Sequence, residues 1–464
     1  MASTAPDQKF MEEDLTLFST GDPNFISFEF GAPGPALLPV NLVTDATKER
    51  FSREKAWTSL QYGPSLGDAE FKDTLSGWLS TQYNETVAPE HLCVTNGASQ
   101  AFSNLIVFFK GEHTKILLEN PTYFLAIRTL ADHGISRNEL TSVPVDSAGV
   151  KVDLLEAALE RLESEAKRDG VYPRGNWVDS GNWRKGGEWK GPKRYSYILF
   201  MVPIYSNPTG YSLKEERCQK VLDLARKYDV LVICDDVYSM LPLNNNVPPR
   251  RLVSYDNIPN SFGNVISNCS FSKLFAPGAR LGWIEANDGI IEQHFRSGLM
   301  YSGGSPNHLF SGIMNSMISS GAFQSNLAFL KATYSKRLNI MVEYLTEHLP
   351  KNVTFQKPQG GFFLWLCLPE GEDSKEILQA VTGTQGYGGR NDDVVDKNVG
   401  NYRGRKVPKE KVSFASGNNF STDLTHGRYL RLTWAFYEEE RLLLGCERLC
   451  RVLNAALGSA NSRM

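Results

Sequence analysis

The sequence predicts an α/β protein: a mostly parallel central sheet flanked by helices, with a smaller α+β domain drawn from both chain ends. Three observations predict it. Short apolar runs with abrupt polar ends, such as KILLEN (115–120), YSYILFMVP (195–203) and VLVICDD (230–236), recur along the chain. Helical patterns such as SLKEERCQKVLDLARKYD (212–229) separate them, which supplies the crossovers that parallel pairing needs. The length, 464 residues, exceeds one simple core and implies two or three domains.

Residues 1–47 read as irregular chain rich in Gly and Pro, including FEFGAPGPALLP (28–39). DAEFKDTLSGWLS (68–80) has helical spacing. HLCVTNGAS (91–99) is a short strand that breaks at Gly97 and passes into the helix AFSNLIVFF. NVISNCSFS (264–272) is a further buried strand, and SNLAFLKATYSKRLNIMVEYLTEHL (325–349) a long helix. NVTFQKPQGGFFLWLCLPE (352–370) and GRYLRLTWAF (427–436) supply strands of the smaller domain. The expected division is an N-terminal arm with part of the small domain (1–47), a large domain (48–325) and a small C-terminal domain (326–464). Two stretches read as inserted surface loops: 164–194, with Trp177, Trp183 and Trp189, and 383–411, which is Gly-rich and charged. The tryptophans suggest that the first loop docks on something.

Composition narrows the function. The apolar share is 41%, the charged share 22% and the net charge −3, so nothing points to nucleic acid or an anionic membrane as partner. No apolar run approaches the ~20 residues of a membrane span, and the N-terminus lacks the apolar core of a secretory signal. Seven scattered cysteines without a CxxC pair point to a reduced, cytoplasmic setting. Cys446 and Cys450, four apart on a predicted helix, read as packing. The seven histidines form no HExxH or other ligand cluster, so no catalytic metal is expected.

The chemistry gathers at strand ends, where ligands of parallel sheets bind. Gly97-Ala98-Ser99 opens a helix, and free backbone N–H groups there suit a phosphate; a plain cap by Ser99 or Asn96 explains the segment equally well. Tyr123 follows KILLEN and could stack on a planar ring or simply pack. Asn207 opens the turn NPTG after the next strand. Asp235, Asp236 and Tyr238 follow VLVIC; adjacent strand residues face opposite ways, so one acid faces the site and Asp236 reads as a helix cap or ion-pair partner. Lys273 sits in SNCSFSKLFAPGARLGW (267–283), among Ser270 and Ser272 and ahead of Arg280. A lysine screened from water becomes a nucleophilic amine. Amine, phosphate cradle, stacking ring and carboxylate together describe the needs of pyridoxal 5'-phosphate.

Eight segments occur in a family's order: YGPSLG (62–67), NGAS (96–99), PTY (121–123), NPTG (207–210), DDVY (235–238), SFSKLFAPGARLGW (270–283), GGFFLW (360–365) and RYLRLTW (428–434). On these the chain resembles the fold-type-I, pyridoxal-phosphate-dependent aminotransferases of class I/II. The pattern is nearest the branch with 2-aminoadipate and kynurenine aminotransferases. The resemblance implies that Lys273 holds the cofactor covalently and shuttles the substrate proton. Asp235 would pair with the ring nitrogen, Asn207 and Tyr238 with the ring 3'-oxygen, and Tyr123 would stack. Gly97, Ala98, Ser99, Ser270, Ser272 and Arg280 would cradle the phosphate. Arg431 would clamp the substrate carboxylate, approached by the Gly31 backbone, with Asn207 also beside the substrate. Tyr62 would reach the phosphate of a neighbouring subunit, making a homodimer the working unit. The implied reaction passes an amino group from an L-amino acid to a 2-oxo acid such as 2-oxoglutarate, in ping-pong fashion.

Two positions depart from the family pattern. Glu70-Phe71-Lys72 follows YGPSLG where Leu-Arg is frequent, and Ala98 replaces a frequent hydroxyl residue. The alternatives are a C–S lyase or carbon-chain synthase on the same scaffold, and an aminotransferase-like transcription regulator. The latter would need a DNA-binding domain, and only about 30 irregular residues precede Gly31. A nicotinamide-dependent dehydrogenase would need a GxGxxG fingerprint, which no strand-to-helix turn carries.

Overall fold

The computed structural model describes residues 22–171, 193–256, 261–383 and 399–458. Two compact units share them. The smaller takes the described residues through Pro35, Thr333–Lys357 and the described chain from Phe362 onward; the larger takes Ala36–Ala332 and Pro358–Gly361.

The larger unit is built on an eight-stranded sheet. Its order is Leu92–Thr95, Gly282–Ala286, Val265–Ser270, Val230–Asp235, Tyr195–Met201, Lys110–Asn120, Leu140–Asp146, Gly149–Val150. The five strands from Val265–Ser270 to Leu140–Asp146 pair in parallel, while Gly282–Ala286 and Gly149–Val150 run antiparallel to their neighbours. The central strands are buried throughout because both faces are covered. In Tyr195–Met201, Tyr197, Leu199 and Met201 join a core with Leu159 and Leu222 of the helices Val152–Arg168 and Glu215–Tyr228. Phe200 points the other way and packs on Phe102 of helix Ala98–Phe109, ring centroids 4.6 Å apart. The abrupt polar ends of the apolar runs therefore lie together at the carboxyl edge of one sheet.

The smaller unit has a four-stranded antiparallel sheet, Thr354–Phe355, Phe363–Cys367, Tyr429–Thr433 and Ala415–Ser416. Ile26–Ser27 pairs in parallel with Val412–Ser413, which stitches the early chain to the late chain. The expected helix at Cys446 and Cys450 spans Glu439–Leu457, with both thiols buried in its packed face.

Three expectations are corrected. The chain is not irregular through residue 47: a helix runs over Val40–Ser52, directly after Pro39. It carries no apolar stripe because its inward residues are Ala46 and Arg50, and the Arg50 guanidinium is satisfied by Ser59 Oγ at 2.7 Å and packs against Gly312. The stretch 383–411 is not loop throughout: Val399–Tyr402 and Arg405–Pro408 form an antiparallel hairpin, anchored by buried Tyr402 and Val407. The stretch 164–194 is not loop from its start, because residues 164–168 belong to the helix Val152–Arg168; its Trp177, Trp183 and Trp189 lie outside the described residues. Among the described residues no helix is long and apolar enough to cross a membrane, and no cluster of His, Cys, Asp or Glu could hold a metal ion.

Candidate active site

The larger unit brings together most of the residues singled out in the sequence. Gly97 caps helix Ala98–Phe109 at φ +84, a conformation that disfavours any side chain, and no side chain caps the helix. Asn96, one of the caps suggested by sequence, instead bonds Gln100, and Ser99 is exposed. Twelve residues of aligned peptide dipoles thus present open N–H groups at Gly97–Ser99. Arg280 closes on this end: a Cβ built on Gly97 would stand 2.8 Å from Arg280 Nη2. Arg280 itself is left-handed, φ +46, held by Asn307 Nδ2, which donates to the carbonyls of Ala279 (2.8 Å) and Arg280 (2.6 Å). Its Nη1 reaches Pro277 O at 3.0 Å and Ser272 Oγ at 3.4 Å. Ser270 Oγ donates to Ser272 Oγ at 2.9 Å and accepts from Ser272 N at 3.1 Å. A helix N-terminus, a guanidinium and two hydroxyls around one glycine form an anion cradle.

Asp235 ends its strand and is buried, and Oδ1 has no hydrogen-bond partner among the described residues. Its carboxyl is pushed up to about 7 by burial and by the neighbouring Asp236, against the pull of Lys273. Lys273 is half-buried, three residues beyond the adjacent parallel strand Val265–Ser270. Asn207 and Tyr238 are both buried at the same sheet edge, and Tyr123 is half-buried at the start of helix Phe124–Asp132. Tyr62 stands apart on the surface, 79% exposed.

Among the described residues Asp236 is neither a helix cap nor an ion-pair partner. It faces away from Asp235 and accepts a short hydrogen bond from Ser267 Oγ. Burial pushes its carboxyl up to about 6, with Ser267 and the field of buried Arg251 opposing. Arg251 is held by Glu285 and Glu85 and lies over the Tyr83 ring.

Gly31 and Arg431 belong to the smaller unit. Arg431 is buried on Tyr429–Thr433; Nη2 donates to Glu29 O at 2.7 Å, and the guanidinium lies over the rings of Phe363 (4.2 Å) and Phe420 (4.8 Å). A Cβ on Gly31 would stand 2.8 Å from Phe363 Cζ, so only glycine lets the chain pass this ring.

Sequence reasoning missed Glu119, Thr122 and Tyr205. Glu119 is buried and its Oε1 accepts from Val202 N at 2.7 Å. Tyr205 is buried at φ +49, with Gly360 and Gly361 packed onto it. The signal for Glu119 was present in KILLEN: an acid ending an apolar strand needs a reason.

Pyridoxal phosphate fits this edge. Asp235 Oδ1, Thr122 Oγ1 and the Tyr205 hydroxyl are buried without hydrogen-bond partners among the described residues, and all follow or end strands at the carboxyl edge. A ligand with polar groups of its own would complete them. The anion cradle and the half-buried amine supply the other requirements.

Comparison with known proteins agrees. Residues 29–387 match the family described as aminotransferase class I and II. Over 447 residues the chain is 27% identical to an aromatic-amino-acid aminotransferase of Thermococcus litoralis, covering 96% of this chain and 91% of the relative. It is similar to the crystal structure of the Pyrococcus horikoshii kynurenine aminotransferase, TM-score 0.73 at 25% identity, over 95% of this chain and 93% of the other. It also shares the fold of an α-aminoadipate aminotransferase from Thermus thermophilus, solved with N-(5'-phosphopyridoxyl)-L-leucine; TM-score 0.69, 24% identity, 94% and 93% coverage.

Proposed function

The chain belongs to the class I and II aminotransferases, and on that premise we propose which of its residues carry the reaction and on what substrates. It is a pyridoxal-phosphate-dependent enzyme that moves an amino group from an amino acid to a 2-oxo acid. Bound pyridoxal phosphate supplies an electron sink that makes the substrate Cα–H acidic.

Lys273 would hold the cofactor through its amine and, as a free amine, would take the proton from the substrate Cα. The observation that carries this is that half-buried Lys273 acts electrostatically on buried Asp235, whose Oδ1 has no hydrogen-bond partner among the described residues. Asp235 would bind the protonated ring nitrogen; Asn207 and Tyr238 would donate to the ring 3'-oxygen. Gly97, Ala98, Ser99, Ser270, Ser272 and Arg280 would hold the phosphate, and Tyr123 would stack on the ring. Arg431 would fork onto the substrate carboxylate near the Gly31 backbone. The donor is an aromatic or 2-aminoadipate-type L-amino acid and the acceptor 2-oxoglutarate, the substrate types named for the relatives supporting the donor choice.

The working unit in this reading is a homodimer in the cytoplasm. Tyr62, with Trp57 (64% exposed) and Leu60 (69%), leaves a large apolar surface uncovered. Mixing Tyr62→Ala and Lys273→Ala chains tests it: if Tyr62 serves the partner's site, each mixed dimer holds one intact site and activity returns. No recovery on mixing overturns the dimer assignment. Replacing Lys273 by Ala should abolish the visible cofactor band and turnover; an active variant overturns the assignment of the site.

A further inference from the structure

The Val202–Leu213 segment, which carries Asn207, folds back on itself. Leu213 N donates to Pro203 O (2.7 Å), Ser206 N to Tyr211 O (2.8 Å), Gly210 N to Ser206 O (2.7 Å) and Tyr205 N to Ser212 Oγ (3.1 Å). These bonds shape the segment but do not tie it to the rest of the sheet edge. Glu119 does so from the neighbouring strand. It is 3% exposed, its Oε1 accepts from Val202 N at 2.7 Å, and the side chain of Ser206, next to Asn207, lies beside its carboxyl.

We propose that Glu119 is a positioning residue for Asn207, a buried acid that anchors the start of the Asn207 loop to the neighbouring strand through Val202 N. This rests on the reading that Asn207 and Asp235 hold the cofactor ring. The charges facing Glu119 are unfavourable to a second anion. Asp235 acts on it from the strand Val230–Asp235, and the Cys234 thiol feels it from the same strand, while the Lys273 charge acts on Asp235. Burial first, then Asp235, pushes the Glu119 carboxyl up to about 8. As a neutral acid it accepts from Val202 N and can still bond the Ser206 hydroxyl.

The test compares wild type, E119Q and E119A. In cofactor-free protein, infrared titration through about pH 8 should show a protonated-carboxyl C=O band in the wild type that E119Q lacks. Titrated with pyridoxal 5'-phosphate at neutral pH, E119Q, which mimics the neutral acid, should bind within about twofold of wild type, and E119A about tenfold more weakly. Wild-type affinity for E119A, or an E119Q affinity as weak as that of E119A, overturns the proposal. Asn207→Ala separates the two readings: unchanged affinity for pyridoxal 5'-phosphate would remove Asn207 from the site, while the infrared result on Glu119 would stand by itself.

Discussion

The guanidinium of Arg280 lies directly against the Cα of Gly97, so that a Cβ at 97 would stand 2.8 Å from Nη2. The two are 183 positions apart, yet they close one cradle: the glycine opens the helix end and the arginine faces it. Gly97→Ala should therefore push Arg280 aside and strain a backbone at φ +84. The expected outcome is a folded protein that binds pyridoxal 5'-phosphate about tenfold or more weakly, read by equilibrium titration. Unchanged affinity would show that the phosphate sits elsewhere.

Asp235 should make the cofactor-free protein less stable. Its carboxyl holds a proton up to about pH 7 in the folded chain but only up to about 3.8 in the unfolded one. Unfolding then releases a proton between these values, and stability falls as pH rises through the window. Asp235→Asn removes this effect. Without cofactor it should be more stable than wild type at pH 7, by on the order of a few kcal/mol, with the gain shrinking toward pH 4, while activity drops at least about 100-fold. Chemical unfolding at several pH values, alongside turnover, checks both halves.

His294 has the opposite sign. It is buried against Phe108, ring centroids 5.7 Å apart, and Nδ1 has no hydrogen-bond partner among the described residues. Burial lowers its pKa from 6.5 to about 4, so the unfolded chain takes up the proton first and stability is lost as pH falls from 6.5 toward 4. His294→Leu should therefore gain on wild type by on the order of 2 kcal/mol between pH 7.5 and pH 5, measured by urea unfolding. A constant difference across that range would count against a buried neutral imidazole.

Arg431 separates substrate from cofactor. Its guanidinium donates to Glu29 O and lies over Phe363 and Phe420, a planar arrangement that an ammonium cannot copy. Arg431→Lys should lower kcat/KM by about 100-fold for amino acid and 2-oxo acid alike, leaving the affinity for pyridoxal 5'-phosphate near that of wild type. A defect confined to one of the two substrates would mean that they use different carboxylate sites.

Much of this was legible one segment at a time. The strand and helix at 91–109, the strand at 230–235 and the helix at 439–457 follow from apolar pattern and length, because those cues act within a dozen residues. Helix Val40–Ser52 escaped because its inward face is Ala46 and Arg50, and an inward arginine becomes intelligible only once Ser59 and Gly312 are seen beside it. Asp236 was misread for a similar reason: Ser267, on the next strand, takes the place of the cap or cation that the sequence suggested.

The sequence by itself determined the kinds of chemistry and their place at strand ends: an amine at 273, an acid at 235, a glycine opening a helix at 97, an arginine at 431. Backbone preference and apolar periodicity are local properties, so a single chain displays them. Only the tertiary structure decided that Gly97 meets Arg280, that Asp235 and Asp236 look into different surroundings, and that Glu119 grips Val202, 83 positions away. Desolvation and charge coupling are sums over neighbours brought together by strand order, and strand order is not written in any one segment.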